Sequence, residues 1–255
     1  MTIFSTREQL EKIAGYLTAY MKIPFFQDDT IPGKVMEKIV SLVHSADQKA
    51  TYDYVDVCKE GSVGWQVKST KDKSPLTWKR AKIANSAKMI LASETSESAR
   101  QELGNAIIDF CNKHAHESLA LYSLKEIGYS RLIMFEDGTA IYFEKLISSK
   151  QSPNIFDKND YTWEWSSPKD VTKKEQLPAL HGTSKKTHKK AFAWHGRGEN
   201  QLHFSGEKEW WPEITRPTKV GVINYSEDGH AMAFKLSSEK LPWDDLVEFL
   251  NKGSS

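Results

Sequence analysis

Tyr52-Asp-Tyr-Val-Asp-Val-Cys-Lys-Glu-Gly-Ser-Val-Gly-Trp-Gln-Val-Lys-Ser-Thr70 is the stretch whose reading decides the fold. Tyr, Val and Trp favour a pleated surface, and Glu60-Gly61 stands where a hairpin must reverse. The pattern predicts a strand from Tyr52 to Cys58, a turn over Lys59-Glu-Gly-Ser62 and a second strand from Val63 to Ser69. Gln66 and Lys68 are two apart and share one face of the second strand. Asp53 and Asp56 are three apart on the first, so only one of them shares a point with Gln66 and Lys68. An acid, an amide oxygen and an ammonium are thereby expected to meet at a strand edge.

Composition bounds what such a site can belong to. A chain of 255 residues has room for one large domain or two smaller ones. With 39% hydrophobic and 27% charged residues it reads as a soluble globular protein. No apolar run reaches the roughly 18 residues of a membrane span, and the start lacks the basic-then-apolar pattern of a signal peptide. Two cysteines, Cys58 and Cys111, make neither a disulfide framework nor a zinc cluster, so a reducing cytoplasm is expected. A net charge of +1 leaves nucleic acid open, but the charges are segregated. Lys185-Lys-Thr-His-Lys-Lys190 and the set Lys68, Lys71, Lys73, Lys79, Arg80 and Lys82 are basic, while Asp28-Asp29 and Glu94 to Glu102 are acidic. Such separation suits a duplex-binding face set against a solvated back.

Upstream of the hairpin, Thr6 and Gln9 form a capping pattern before Leu10, Ile13, Ala14, Leu17 and Met21, predicting a helix over 6–22 that ends at Pro24. A loop over 25–32 leads to a second helix over 33–46, whose apolar face is Val35, Met36, Ile39, Val40 and Val43, with Glu37 beside it. Downstream, Leu76 to Ala92 reads as a helix whose first turn, with Thr77, Lys79 and Arg80, is placed to hold a phosphate. Residues 94 to 127 read as helical. His114 and His116, two apart there, face different directions and are not paired ligands. Arg131 to Phe135, the Glu136-Asp-Gly138 turn and Thr139 to Lys145 make a hairpin. Further strands are expected at 161–165, 191–195, 201–204, 219–224 and 231–236, with a short helix over 242–250. Residues 167 to 190 read as a mobile connection or a DNA-facing arm. The fold class expected is α/β, a mixed central sheet flanked by helices and followed by a β-rich C-terminal region. The boundary is placed near residue 150, between a catalytic core (1–150) and a recognition region (151–255).

The hairpin resembles the active-site core of the PD-(D/E)xK nuclease superfamily, in which an Asp opens one strand and a (D/E)-x-K triplet lies on the next. The match is Asp53 followed, with twelve residues between, by Gln66-Val67-Lys68, a Q-x-K variant seen in some restriction endonucleases. Tyr52 stands where the family has Pro. The family also places a helix glutamate before the hairpin, and Glu37 resembles it. The resemblance implies Mg²⁺ held by Asp53, the Gln66 oxygen, the Val67 carbonyl and Glu37, with Asp56 as the rival to Asp53. Lys68 is implied to orient the attacking water.

A second stretch, Trp194-His-Gly-Arg-Gly-Glu-Asn-Gln-Leu-His-Phe204, combines glycine turns with Arg197, Asn200, Gln201 and His203. Arg reads guanine and Asn or Gln reads adenine in the major groove. Together with Ala231 to Leu236 it resembles the C-terminal region of small monomeric restriction enzymes that cut four-base sites. The expectation is therefore a site-specific endonuclease of double-stranded DNA, with a structure-selective or modification-dependent nuclease, or a non-enzymatic DNA-binding protein, as alternatives. Lys71, Lys73, Thr77, Lys79, Arg80, Lys185, Lys186, Lys189 and Lys190 would hold phosphates. A monomer or homodimer is expected, with no membrane partner and a cognate DNA methyltransferase in the same prokaryotic cytoplasm.

Overall fold

The computed structural model describes residues 2–24, 30–49, 53–167, 177–210, 223–226, 229–236 and 239–245. The chain forms two compact units that interleave in sequence. One comprises 1–74, 122–147 and 212–255; the other comprises 75–121 and 148–211. The expected single boundary near residue 150 is therefore replaced by an excursion: the chain leaves the first unit after residue 74, returns at 122, leaves again after 147 and returns at 212. Both units are mixed in composition, and the molecule is α/β with two sheets, one of them mixed.

The first unit carries helices α1 (Arg7–Lys22) and α2 (Gly33–His44). Its strands are β1 (Asp47–Gln48), β2 (Val57–Lys59), β3 (Val63–Lys71), β5 (Glu126–Met134), β6 (Thr139–Ser149), β11 (Ile223–Ser226) and β12 (Gly229–Lys235). They order as β1-β2-β3-β5-β6-β12-β11. β3 and β5 run parallel from Val63↔Glu126 to Lys71↔Met134, which requires the long crossover that the other unit supplies. β2–β3, β6–β12 and β11–β12 are antiparallel. The expected capping box is present, with Thr6 and Gln9 exchanging side-chain and backbone hydrogen bonds. Leu10, Ile13, Leu17, Met36, Ile39 and Val40 of the two helices are buried against Trp65, Val67, Leu132 and Tyr142 of the sheet. Each such side chain contributes about 1.5–3 kcal/mol on burial.

A buried polar knot closes this core. Glu144 of β6 is fully buried and accepts from the Ser5 N–H at 2.6 Å, the Ser5 hydroxyl and the Tyr142 hydroxyl at 2.7 Å. His44 Nε2 lies 3.1 Å from Ser5 Oγ, and Trp65 Nε1 donates to the Ile3 carbonyl at 2.9 Å. The N-terminal segment is thus fixed to α2, β3 and β6. Tyr142 is pushed well up in pKa, first by burial and then by the Glu144 charge.

The second unit holds β4 (Thr77–Arg80), α3 (Ser86–Thr95), α4 (Glu97–Leu121), β7 (Tyr161–Trp165), β8 (Leu180–Ser184), β9 (Lys190–Trp194) and β10 (Gln201–Phe204). Its strands order as β4-β10-β9-β8-β7, all antiparallel. Trp78, Phe156, Phe192, Phe204 and Trp210 meet in mutual ring contacts. α4 comes so close to β7 that a Cβ on Gly104 would lie 2.1 Å from the Trp163 ring.

Several sequence expectations need correction. The helix expected over 76–92 is a strand, β4, then a turn and α3. Pairing with β10 and burial of Trp78 in the aromatic cluster outweigh the local helical spacing. The helix expected to continue to 127 stops at Leu121, because Glu126 onward lies beside β3 as β5. The first strand of the opening hairpin shrinks to Val57–Lys59, with 53–56 irregular. Within 167–190, residues 180–190 form β8, a turn and the start of β9. The loop residues 25–29, Tyr52, 168–176, Trp211, 219–222 and 246–250 lie outside the described residues; of the expected last helix, Trp243 to Asp245 are helical.

Candidate active site

The site forms where β2 ends and β3 runs on. β2 covers only Val63 to Trp65 of β3, leaving the edge beyond Trp65 free of that partner. Gly61, with φ +71°, reverses the chain between the strands at a backbone angle that glycine adopts freely. Asp56 immediately precedes β2. Its N–H donates to the Trp65 carbonyl at 2.9 Å, and its carboxylate Oδ2 accepts from the Val67 N–H at 2.7 Å. Val57 is paired with Trp65, so Asp56 stands across from Gln66 and on its face. A strand residue's N–H and C=O point to the same edge, so the Val67 carbonyl also faces the Asp56 side.

Glu37, on α2, is only 7% exposed. Burial raises its pKa most, with the Asp56 charge adding to that, while Lys34 and Lys68 oppose it. Glu37 therefore feels the charges of Lys34, Asp56 and Lys68, and Lys34 those of Glu37 and Asp56. Lys34 Nζ donates to Glu37 Oε2 at 2.7 Å from one turn earlier on the helix, and that bond raises the Lys34 pKa. Lys34 is a member of the constellation that sequence reading missed; its i,i+3 spacing to Glu37 is the signal that was there.

Gln66 is 2% exposed, and its side-chain oxygen has no hydrogen-bond partner among the described residues. A buried amide oxygen left unpaired costs about 1–3 kcal/mol. It sits between Trp65 and Val67, the two residues that Asp56 grips. Asp56 thus stands opposite Gln66, Lys68 lies two residues further along the same face, and Glu37 is within electrostatic reach of Asp56 and Lys68.

Asp53 is not among them. Its carboxylate accepts from the Tyr122 hydroxyl, on the β1–β2 side of the hairpin where it also acts on Cys58. The Tyr122 pKa is raised to about 12, by burial first and this carboxylate second. The structure sets Asp56 rather than Asp53 opposite Gln66, because β2 starts later than expected and the register places the residue ten positions before Gln66 across from it.

Among the described residues no three His, Cys, Asp or Glu side chains form a metal-holding group. The donor set here is of another kind: two carboxylates, a buried amide oxygen without a partner and a backbone carbonyl. All are hard oxygen donors, and they fit Mg²⁺, which takes one or two carboxylates and keeps several waters.

The expected DNA contacts divide between the units. Lys71 ends β3, and Lys73 in the same unit pairs with Glu136 at 2.9 Å, both exposed. In the other unit Thr77 and Arg80 are exposed on the edge strand β4, whereas Lys79 acts on Cys111 and His114 of α4 and so lies on the helix side of the sheet. Lys185, Lys186 and Lys189 are exposed on a tight β8–β9 turn closed by the Ser184 N–H to Lys189 carbonyl bond at 2.9 Å, and Lys190 opens β9. Asn200 has φ +56° and serves as the left-handed residue of the β9–β10 turn. Arg197 lies over the Trp165 ring and bonds Glu94 at 2.5 Å. Gln201 and His203 lie on β10, on the open face of the sheet. No family model matches the chain, and no curated protein or solved structure does either.

Proposed function

We propose that this chain is a Mg²⁺-dependent endonuclease that hydrolyses phosphodiester bonds in double-stranded DNA, of the site-specific, restriction type. The observation that carries the reading is the buried, partnerless Gln66 oxygen beside the Asp56 carboxylate, with Glu37 and Lys68 acting on the same point. A structural core has no use for that unpaired oxygen among carboxylates, whereas a hard cation takes it directly.

Asp56, Gln66 and the Val67 carbonyl would hold the ion, and Glu37 would reach it directly or through water. A bound divalent cation polarises a phosphodiester oxygen and lowers the pKa of a water beside it. Lys68, two residues along the same face from Gln66, orients that water and offsets the negative charge developing on the phosphoryl oxygens. The Asp56 carboxylate is held in place by the Val67 N–H, so its geometry is set before substrate arrives. The separate sheet of the second unit, with Gln201 and His203 on its open face, supports contact with bases of the substrate.

Lys68→Ala tests the assignment. DNA affinity should stay within a few-fold of the parent while cleavage of plasmid DNA falls by about 10²–10⁴-fold, the usual worth of a positioned proton-handling or charge-stabilising group. Cleavage at the parent rate would remove Lys68 from the site.

A further inference from the structure

The open face of the second unit's sheet holds a cleft of about 760 Å³ that the chemistry above does not use. Its floor follows from strand register. Ala193 of β9 is directly opposite His181 on β8 and His203 on β10, so all three side chains stand on one face in a row across three strands. The alanine methyl is the low point between two imidazoles. Strands two apart are separated by roughly 10 Å, which leaves room for one flat ring over Ala193. His195, two residues along β9 from Ala193, stands on the same face with its ring 5.1 Å from that of His203. Leu76, Leu177 and Pro178 add apolar wall; Lys190 lines it as a cation, Arg197 is paired with Glu94, and Glu199 and Glu207 add negative charge.

These histidines are not a metal centre, since no such group of three exists among the described residues. Burial holds His195 and His203 below the usual histidine pKa, so near neutral pH both rings are neutral, with one His203 nitrogen bonded to the Leu76 backbone. Nδ1 of His203 is buried and has no partner among the described residues. A recess with neutral donors and acceptors, apolar walls and a cation nearby matches a planar heterocycle bearing a phosphate. Its shape does not match a duplex edge, because the major groove is itself a hollow about 12 Å wide that takes projecting elements. A single base reaches a concave site only when it is out of the stack.

We propose that this cleft binds one nucleotide, with its base over Ala193 between His181 and His203 and its phosphate held by Lys190. The Lys190 charge acts on both His195 and His203. The inference rests on the DNA-substrate reading for its ligand but not on the residues of the cleavage site. Two sources share this chemistry, a free nucleotide and a base extruded from duplex DNA.

The test uses the full chain. Calorimetric titration with dAMP, dGMP, dCMP and dTMP is run beside fluorescence anisotropy on a fully paired hairpin DNA and the same hairpin carrying one bulged nucleotide. At least one dNMP should bind at millimolar affinity or better, or the bulged hairpin should bind at least about tenfold tighter than the paired one; the second result identifies an extruded base as the occupant, the first alone a free nucleotide. Ala193→Leu, which fills the recess, should remove that binding at least about tenfold, and Lys190→Ala, at an exposed position, should weaken it severalfold without touching the fold. The inference is overturned if no dNMP binds and the two hairpins bind alike, or if neither variant changes the affinity. Mg²⁺-dependent cleavage with no nucleotide binding would leave the nuclease reading standing and sink this one; binding that Ala193→Leu abolishes, in a chain that never cleaves, would do the reverse.

Discussion

Asp56→Asn is expected to lower Mg²⁺-dependent cleavage of duplex DNA by about 10³-fold or more, while Asp53→Asn leaves it within about tenfold of the parent. The two aspartates lie three residues apart on one short segment, and structure separates them sharply. Asp56 reaches the Val67 N–H at 2.7 Å and acts on Glu37, whereas Asp53 accepts from Tyr122. Asparagine keeps the size and one oxygen of the aspartate but loses the charge that a hard cation requires. Both variants should keep the fold, since each aspartate lies outside regular strand structure. Single-turnover cleavage of a plasmid by the three proteins gives the comparison. The reverse order of effects would move the site to the Tyr122 side of the hairpin.

The largest effect on stability is expected at Glu144, in the buried polar knot of the first unit. Glu144→Ala should cost about 3–5 kcal/mol, because the Ser5 N–H, the Ser5 hydroxyl and the Tyr142 hydroxyl would all lose a buried acceptor. The N-terminal segment would lose its hold on β6, and the Ile3 carbonyl its fixed place at Trp65. Urea unfolding followed by tryptophan fluorescence measures the loss from the shift in midpoint at constant slope. A loss under about 1 kcal/mol would show that the knot contributes little to holding the segment.

The elements read correctly from sequence are those whose local and tertiary demands agree. α1 carries its capping box and its 3.6-residue stripe, and both survive; β5 and β6 are joined at Gly138, with φ +77°, where the Glu-Asp-Gly turn was expected. Thr77 to Arg80 shows why others were missed. Nothing within ten residues reveals that Gln201 to Phe204 lies alongside, so the helical spacing of the apolar residues that follow prevailed in the reading. The interleaving of the two units was illegible for the same reason, since it is set by contacts between segments distant in sequence. At the candidate site the sequence places Gln66 and Lys68 on one face of β3 and Glu37 on α2, and the structure has them on those elements. Asp56 was also within reach, because counting outward from Gly61 as the turn centre places it opposite Gln66. The preference for Asp53 came from assuming that the strand began at Tyr52, when pairing starts only at Val57. Lys34 was passed over because a lysine on an exposed helix face ordinarily reads as solvated.

The claim that this chain cleaves DNA is tested most directly by incubating the purified protein with a sequenced plasmid in Mg²⁺ and mapping the fragment ends, with an EDTA-treated sample alongside. The proposal predicts discrete fragments whose ends share a common short sequence, and no cleavage in EDTA. Intact plasmid in Mg²⁺, or equal cleavage in EDTA, would contradict the account.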